Sequence, residues 1–351
     1  PGMSDGFYLA WAFVTYVVWG TLYSTVNIPY GSMASVMTAD PVERTTLSTW
    51  RNMGAALAGM AINVLGPMIV FVDNKISADR MFMTACIFGV LAIACYMGCY
   101  KFSTERIAVP VKEVEKGAFL RSVKSLLTNK PFLWVLAASL LAMTNQFIVQ
   151  AVNTYLFKDY FANAGALSII GLVQTLAMFL VVPLVKPLVA KFGKKEISVV
   201  GMTIASIIYI VMFFLKFTTT TPFIVLAALA YMAMCLYNIV TWAFITDVID
   251  YHEYLTSMRE DATVYSIISM SRKVGQAVAG GIGGVAIAAV GYDATVGTQS
   301  QDVLDGIYML GTLVPGIFYA IIAVVLFMYP LSKQKTIQLG KDLAARRNAN
   351  Q

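Results

Sequence analysis

A lysine stands near the middle of an apolar segment that is long enough to cross a lipid bilayer. The segment, residues 261–287, is mostly apolar or small, and about 20 such residues span the hydrocarbon core. In a helix that starts near its beginning, Lys273 lies roughly 16 Å along the axis, where an uncompensated cation costs about 3 kcal/mol or more. Ser266, Ser269 and Gln276 share its helix face because the four positions are three or four residues apart. This face predicts a solvated cavity in which Lys273 binds or couples; a structural ion pair is the alternative.

Five other apolar segments carry amide, hydroxyl or aromatic side chains, most of them at helical spacing. Amides both donate and accept hydrogen bonds, as sugar hydroxyls do, and aromatic rings can stack on a pyranose. These side chains predict a site for a polyhydroxylated small molecule. For any single amide, a hydrogen bond to a neighbouring helix is the alternative. The candidate substrate-binding residues are Asn27, Tyr30, Arg51, Asn52, Gln146, Gln150, Asn153, Asn238, Ser269, Lys273 and Gln276.

The composition is that of an integral membrane protein. Of the 351 residues, 58% are hydrophobic and 13% are charged, whereas about 25% are charged in a soluble domain. The mean hydropathy is +0.72. Nine segments predict spanning helices, so the expected fold class is all-α and polytopic. They are residues 6–36, 47–72, 80–100, 131–157, 165–189, 197–217, 222–249, 262–290 and 306–329.

Other classes of function lack the residues that they need. The four cysteines lie in apolar segments without metal-site spacing, and the single histidine, His252, stands in a charged stretch predicted as a loop. We therefore expect no metal and no prosthetic cofactor. An enzyme is not expected either, because the sequence has no evident cluster of nucleophile and acid residues. The net charge of +6 follows from membrane topology, so no nucleic-acid partner is expected.

Positive charges alternate between successive connections. The stretches 101–130, 186–195 and 331–351 are rich in lysine and arginine, and the connections between them are poor in cations. Because cationic loops stay on the cytoplasmic side, the pattern predicts a multi-pass protein of the cell membrane with its middle stretch and C-terminus in the cytoplasm. In the tail, Leu339 and Leu343 are four residues apart and predict a short surface helix.

The long middle stretch divides the predicted helices unequally. Three precede it and six follow, and two six-helix halves joined by a long connection are the layout of major facilitator transporters. Residues 1–100 would then hold the last three helices of an N-terminal bundle and 101–130 the cytoplasmic connection. Residues 131–330 would form a six-helix C-terminal bundle and 331–351 a cytoplasmic tail. We therefore expect helices four to twelve of such a fold, with three earlier helices outside this sequence.

Charged residues stand at the cytoplasmic ends of several predicted helices. Asp40 and Arg44 follow the first helix, and Asp247, Asp250 and Arg259 lie around the turn after the seventh. Such groups can pair with opposite charges on opposing helices when an inner gate closes. We predict a cytoplasmic gate from these five residues, with solvated loop charges as the alternative.

Three motifs resemble one family of transporters. They are NIPYGS at residues 27–32, DVIDYHEY at 247–254 and RKVGQA at 272–277, in the order and spacing of that family over the whole sequence. On these motifs the chain resembles the glycoside–pentoside–hexuronide:cation symporters, the melibiose-permease-like branch of the major facilitators.

The resemblance implies a twelve-helix fold and sugar uptake driven by a cation gradient. The family's lysine in helix eleven falls on Lys273, and its sugar-contacting position in helix four falls on Asn27, where melibiose permease itself has an aspartate. The family's arginine in helix five falls on Arg51 or Asn52. The family's cation site lies largely on carboxylates of helix two, which is outside this sequence. Sodium and proton therefore both stay open as the coupling cation.

We expect a monomeric symporter that works by alternating access and whose partners are a sugar, a coupling cation and the lipid bilayer. Glycosides, pentosides and hexuronides all stay open as substrates. A hexuronide carboxylate would favour a cationic partner, for which Arg51 or Lys273 could serve. The alternatives are an uncoupled sugar facilitator and a carrier of lipids or other amphiphiles on the same fold.

Overall fold

The described chain is almost entirely α-helical. The computed structural model describes residues 4–37, 54–55, 57–59, 61–62, 64–72, 75–104, 124–256 and 261–349. The helices are α1 (Asp5–Met37), α2 (Leu57–Val70), α3 (Ala78–Phe102), α4 (Lys130–Tyr155), α5 (Ala166–Phe192), α6 (Lys194–Leu215), α7 (Thr220–Thr256), α8 (Asp261–Ala289), α9 (Gln301–Met328) and α10 (Lys333–Ala349). A π-helical turn, Leu156–Tyr160, continues α4, and two short antiparallel strands, β1 (Phe71–Val72) and β2 (Lys75–Ile76), form a hairpin.

Local sequence signals set several helix ends. Asn129 caps α4, since its Oδ1 accepts a hydrogen bond from the backbone N–H of Phe132 at 3.1 Å, and Pro131 stands in the first turn. Gly193 ends α5 with φ +106°, and its N–H donates to the Val189 carbonyl. Glycine adopts this backbone conformation without the steric penalty of a side chain. Helix α6 therefore begins at the next residue, after a sharp reversal of the chain.

The predicted all-α, polytopic class is confirmed. Within the described residues, six helices are long and apolar enough to cross a membrane: α3, α4 with its π-turn, α5, α6, α7 and α9. Helices α1 and α8, of 33 and 29 residues, match two further predicted segments. Helix α2 is a shorter apolar helix within the predicted segment 47–72.

Helix α7 continues to Thr256, beyond the predicted end of the seventh spanning segment at Ile249. Hydropathy marks the thickness of the hydrocarbon layer, whereas a helix can extend beyond that layer into water. His252 is correspondingly helical and buried, although its charged surroundings predicted a loop. Helix α10 packs against α7, so the extension has a neighbour to cover it.

The chain divides into two compact units. The first comprises Pro1–Gly59 and Phe82–Glu113, and the second comprises Met60–Met81 and Val114–Gln351. In the first unit, α1 and α3 expose long rows of apolar side chains; Phe13 and Phe82, for example, are 70% and 73% exposed. Surfaces of this kind suit contact with lipid or with other apolar partners.

The second unit has a tightly packed core. Helix α6 packs against α7 and α9, α4 packs against α8 and α9, and α5 packs against α7. Ser206 of α6 donates a hydrogen bond to the Gly316 carbonyl of α9 at 2.8 Å, as small polar residues do between membrane helices. Near one end, Tyr160 of the π-turn stacks on Tyr308 of α9 with ring centres 4.7 Å apart. This core fixes the orientation of the helices that carry the candidate site.

The predicted surface helix in the tail is confirmed as α10. Leu339 and Leu343 are 7% and 4% exposed, so they form its buried side. Arg346, further along, donates to the Tyr254 carbonyl at 3.1 Å and lies over the Tyr254 ring. The tail helix thereby braces the part of α7 that extends beyond its predicted end.

Candidate functional site

One face of α8 carries the polar residues that the sequence places around Lys273. Lys273 is exposed on this face, and Ser269 and Gln276 are half-buried beside it. The Lys273 Nζ donates a hydrogen bond to the Gln276 Oε1 at 3.2 Å, across one helical turn. The two groups therefore present a cation and an amide together on one face of α8.

A different face of α8 packs closely on α4 through small residues. A Cβ added at Gly275 would lie 2.9 Å from the Leu140 carbonyl oxygen and 3.1 Å from the Met143 Cβ. Two turns further on, a Cβ at Gly283 would lie 3.2 Å from the Ala151 Cβ. The absence of side chains at these glycines lets the two helix backbones approach, as small residues do in membrane helix pairs.

This packing determines where Lys273 points. Positions that are two apart in sequence are separated by about 200° around an α-helix. Lys273 therefore lies on nearly the opposite side of α8 from Gly275. Between the two helices, the Thr144 hydroxyl donates to the Leu140 carbonyl at 2.9 Å and lies 3.5 Å from the Gly275 carbonyl. The interface with α4 therefore directs the lysine away from α4.

The candidate amides of α4 and α7 differ in exposure. Gln146 and Gln150 are exposed, whereas Asn153 is buried, and Asn238 on α7 is half-buried. Of these four, the two glutamines have exposed amides, and their helix, α4, packs directly against α8. Their role in substrate binding stays a prediction.

Asn145 is a polar residue that the spacing of the α4 amides did not single out. Its side chain is completely buried. Its neighbour Gln146 is exposed, so a rotation of about 100° around the helix separates the two environments. In the sequence the two amides are indistinguishable, because only the packing of α4 decides which one faces the core.

The remaining candidates fall in the first unit or outside the described residues. Asn27 and Tyr30 lie on α1, where the Tyr30 side chain is 38% exposed. Outside the described residues lie Asp40, Arg44, Arg51, Asn52 and Arg259.

Asp247, a predicted gate residue, forms an ion pair within the second unit. Both carboxylate oxygens lie 2.6 Å from the Nζ of Lys194, the first residue of α6. Lys194 also donates to the Ala243 carbonyl at 3.3 Å, and the Asp247 side chain is 7% exposed. Asp250 lies three residues further along α7 and is half-buried. A gate that opens and closes at this position stays a prediction, but the pair ties α6 to α7 in this structure.

Replacement of Asp247 by asparagine is expected to destabilise the protein by about 1–3 kcal/mol, because it leaves the Lys194 ammonium without its anionic partner in a mostly buried place. Chemical unfolding of the purified protein measures the loss. The matched control is Asp305→Asn, which breaks the Lys216–Asp305 pair. That pair has a similar distance of 2.7 Å, but its side chains are 57% and 41% exposed. We expect little change in the control; equal losses in both variants would contradict the prediction.

A second polar cluster ties the end of α8 to α4. The Tyr292 hydroxyl, three residues beyond α8, donates to the Asp159 Oδ2 at 3.2 Å and accepts from the Lys158 Nζ at 3.3 Å. Burial raises the pKa of Tyr292, so its hydroxyl keeps the proton that it donates. The Tyr155 ring also meets the Tyr292 ring edge-on at 4.9 Å. Helix α8 is therefore held on α4 both along its length and just beyond its end.

These features define a class of protein. Six long apolar helices within the described residues are those of a polytopic membrane protein, and α8 packs among them through small residues with an exposed lysine on its polar face. The comparison with known families is more specific. Residues 1–333 match the family described as MFS/sugar transport protein, and the chain belongs to this family. The predicted resemblance is thereby confirmed, and the protein is a multi-pass membrane transporter and not an enzyme.

Relatives with assigned names are similar over nearly the whole chain. The "Uncharacterized symporter YjmB" of Bacillus subtilis is 31% identical over 98% of this chain and 74% of the relative. The "Glucuronide carrier protein homolog" of Escherichia coli is 28% identical over 99% of this chain and 76% of the relative. The "Isoprimeverose transporter" of Lactiplantibacillus pentosus is 28% identical over 95% of this chain and 70% of the relative.

Proposed function

We propose that the protein is a cation-coupled symporter that moves a sugar across the cell membrane by alternating access, and that the sugar is a hexuronide. The observation that carries the proposal is the position of Lys273, exposed on the polar face of α8 and bonded to Gln276, in a chain of the sugar-transport family. A lysine at this depth requires water or an anionic partner.

A hexuronide offers the groups that this face could bind. Its carboxylate can form a charge-assisted hydrogen bond with the Lys273 ammonium, which is stronger than a bond between neutral groups. Its hydroxyls can both donate to and accept from the Gln276, Gln146 and Gln150 amides. The name of the Escherichia coli relative, a glucuronide carrier homolog, agrees with an anionic sugar. Neutral pentosides and glycosides would use the amides and leave the ammonium to another partner.

Coupling follows when the sugar and the cation each favour the binding of the other. Lys273 is the residue that we assign to this role, because its positive charge must be compensated differently as the sugar and the cation arrive and leave. Sodium and proton are both candidates for the cation. The ends of α5 and α9 would face the cytoplasm, as would the basic stretches 101–130, 186–195 and 331–351. The working unit would be a monomer.

Uptake by the complete transporter in proteoliposomes tests the proposal. An imposed sodium gradient or proton gradient is combined with labelled glucuronides, pentosides and neutral glycosides. We expect accumulation of a hexuronide above its equilibrium level under one of the two gradients, and the neutral sugars should accumulate less. The result would name the sugar class and the cation together.

Three results would contradict the proposal in different ways. Equilibration of a sugar without accumulation under either gradient would mean an uncoupled facilitator, and Lys273 would then have no role in coupling. Transport of lipids or other amphiphiles, with no sugar transported, would make the protein a carrier of a different class. Preference for a neutral glycoside with normal accumulation would keep symport and reject only the hexuronide.

A further inference from the structure

A basic cavity lies at one end of the second unit, away from the polar face of α8. Its volume is about 210 Å³, and it is lined by residues from the ends of α5 and α7 and the beginnings of α6 and α10. Helices α5 and α6 are spanning candidates that end and begin at Phe192 and Lys194. The cavity therefore opens at the level of a membrane surface.

Three lysines line the cavity against one carboxylate. They are Lys194, Lys195 and Lys333, and the carboxylate belongs to Asp247. Asp247 is already bound to Lys194. The Glu196 carboxylate lies beside Gly193 of the lining, so two carboxylates leave one of the three lysine charges in excess.

Two of the three ammonium groups are held in place by backbone carbonyls. Lys195 donates to the Tyr329 carbonyl at 2.7 Å, and Lys333 donates to the carbonyls of Ala190 and Lys191 at 2.6 and 3.2 Å. An ammonium has three N–H groups, so each lysine can still donate to a further acceptor. Carbonyl oxygens orient the lysines without neutralising their charge, and the remaining donors suit an anion.

The other walls of the cavity are apolar. Phe244, Leu331 and Ile337 line it, and Ile337 is 51% exposed. Beside the cavity, Phe327 is 69% exposed, and the Lys195 Nζ lies over its ring at 5.6 Å from the centre. Lysines that lie along exposed apolar side chains with their charges near water are typical of the membrane interface.

We propose that this cavity binds the headgroup of an anionic phospholipid. The lipid phosphate would accept hydrogen bonds from Lys195 and Lys333, and the acyl chains would lie along the exposed apolar side chains beside them. Basic pockets between spanning helices bind such headgroups in other membrane proteins. A free phosphate would use the lysines but not the apolar walls, which is why a lipid is the occupant assigned here. The site is separate from the sugar site and does not depend on the proposed substrate.

Binding of phosphatidylglycerol to the purified complete transporter, measured by native mass spectrometry with phosphatidylcholine as the neutral reference, tests the proposal. We expect selective retention of phosphatidylglycerol by the wild type. Lys195→Gln and Lys333→Gln should each weaken it about fivefold, the effect expected of one lysine near an anionic membrane surface. The matched control is Lys335→Gln with Lys341→Gln, which removes two exposed charges of α10 outside the cavity lining. Equal weakening in the control, or equal retention of both lipids by the wild type, would overturn the proposal.

A second variant tests the cavity with every lysine intact. Ile337→Trp places a larger side chain at the partly exposed edge of the cavity and should reduce phosphatidylglycerol retention several-fold, whereas Ile337→Val should not. This comparison decides the question if the neutral lysine variants fail to fold. The last experiment adds millimolar inorganic phosphate as a competitor for the bound lipid. If phosphate displaces the lipid completely in the wild type, and if Ile337→Trp retains the lipid, a lipid site is excluded in favour of a simple phosphate site.

Discussion

Replacement of Lys273 by alanine is expected to abolish gradient-driven sugar accumulation while the protein remains folded and inserted in the membrane. The side chain is exposed and lies about 200° around α8 from the glycine that packs on α4, so its removal leaves the helix interface intact. Loss of a hydrogen bond to a charged group costs about 1.5–3 kcal/mol, which corresponds to roughly 10-fold to 150-fold in affinity for an anionic sugar. Loss of coupling adds to this effect, and together they should reduce accumulation to background.

The measurement is steady-state accumulation in proteoliposomes under the gradient that drives the wild type, together with the binding affinity for a hexuronide and for a neutral glycoside. If Lys273 binds the carboxylate, the affinity for the hexuronide falls much more than that for the neutral sugar. Lys273→Arg keeps the charge and should retain part of the binding. Val274→Ala changes an exposed neighbour on another face of α8 and should behave as wild type. Normal accumulation by Lys273→Ala would remove this residue from the mechanism.

The polar face of α8 could be predicted because it depends only on local spacing. Residues three and four apart share a helix face whatever the rest of the fold does, and the structure places Ser269, Lys273 and Gln276 accordingly. The spanning helices could be predicted for a similar reason, since a long apolar run is itself the signal. The family could also be predicted, because its motifs are short runs that can be compared directly.

Contacts between distant parts of the chain could not be predicted in this way. Lys194 and Asp247 are 53 positions apart, and Lys194 counted only as one more charge of a basic connection. Asn145 and Gln146 are adjacent amides, and the opposite environments that they occupy are set by how α4 is rotated against its neighbours. Such features depend on helix packing, for which the spacing of polar residues carries little information.

Replacement of Gly275 by valine is expected to destabilise the protein and to impair transport, because this glycine is where α8 approaches α4. Even a Cβ would lie 2.9 Å from the Leu140 carbonyl oxygen and 3.3 Å from the Thr144 Oγ1. The obstacle is backbone, which cannot move aside as a flexible side chain does. Overpacking of this kind costs typically about 1–3 kcal/mol, and the larger valine should cost more than alanine. Thermal unfolding of the purified variants, and their yield as monodisperse protein, measure the loss.

Gly281→Val on the same helix is the matched control, since an added Cβ there has open space within 4 Å. We expect it to unfold close to the wild-type temperature, and equal destabilisation at both positions would mean that helix propensity, not packing, explains the result. Comparison with Lys273→Ala then separates two roles of α8. Lys273→Ala should lose transport and keep stability. Gly275→Ala should lose stability, and it should also weaken sugar binding, because displacement of α8 from α4 moves Lys273 from its position. If Gly275→Ala were unstable but bound and accumulated sugar normally, the orientation of Lys273 would not depend on the α4–α8 interface, and the geometric link between packing and binding would fail.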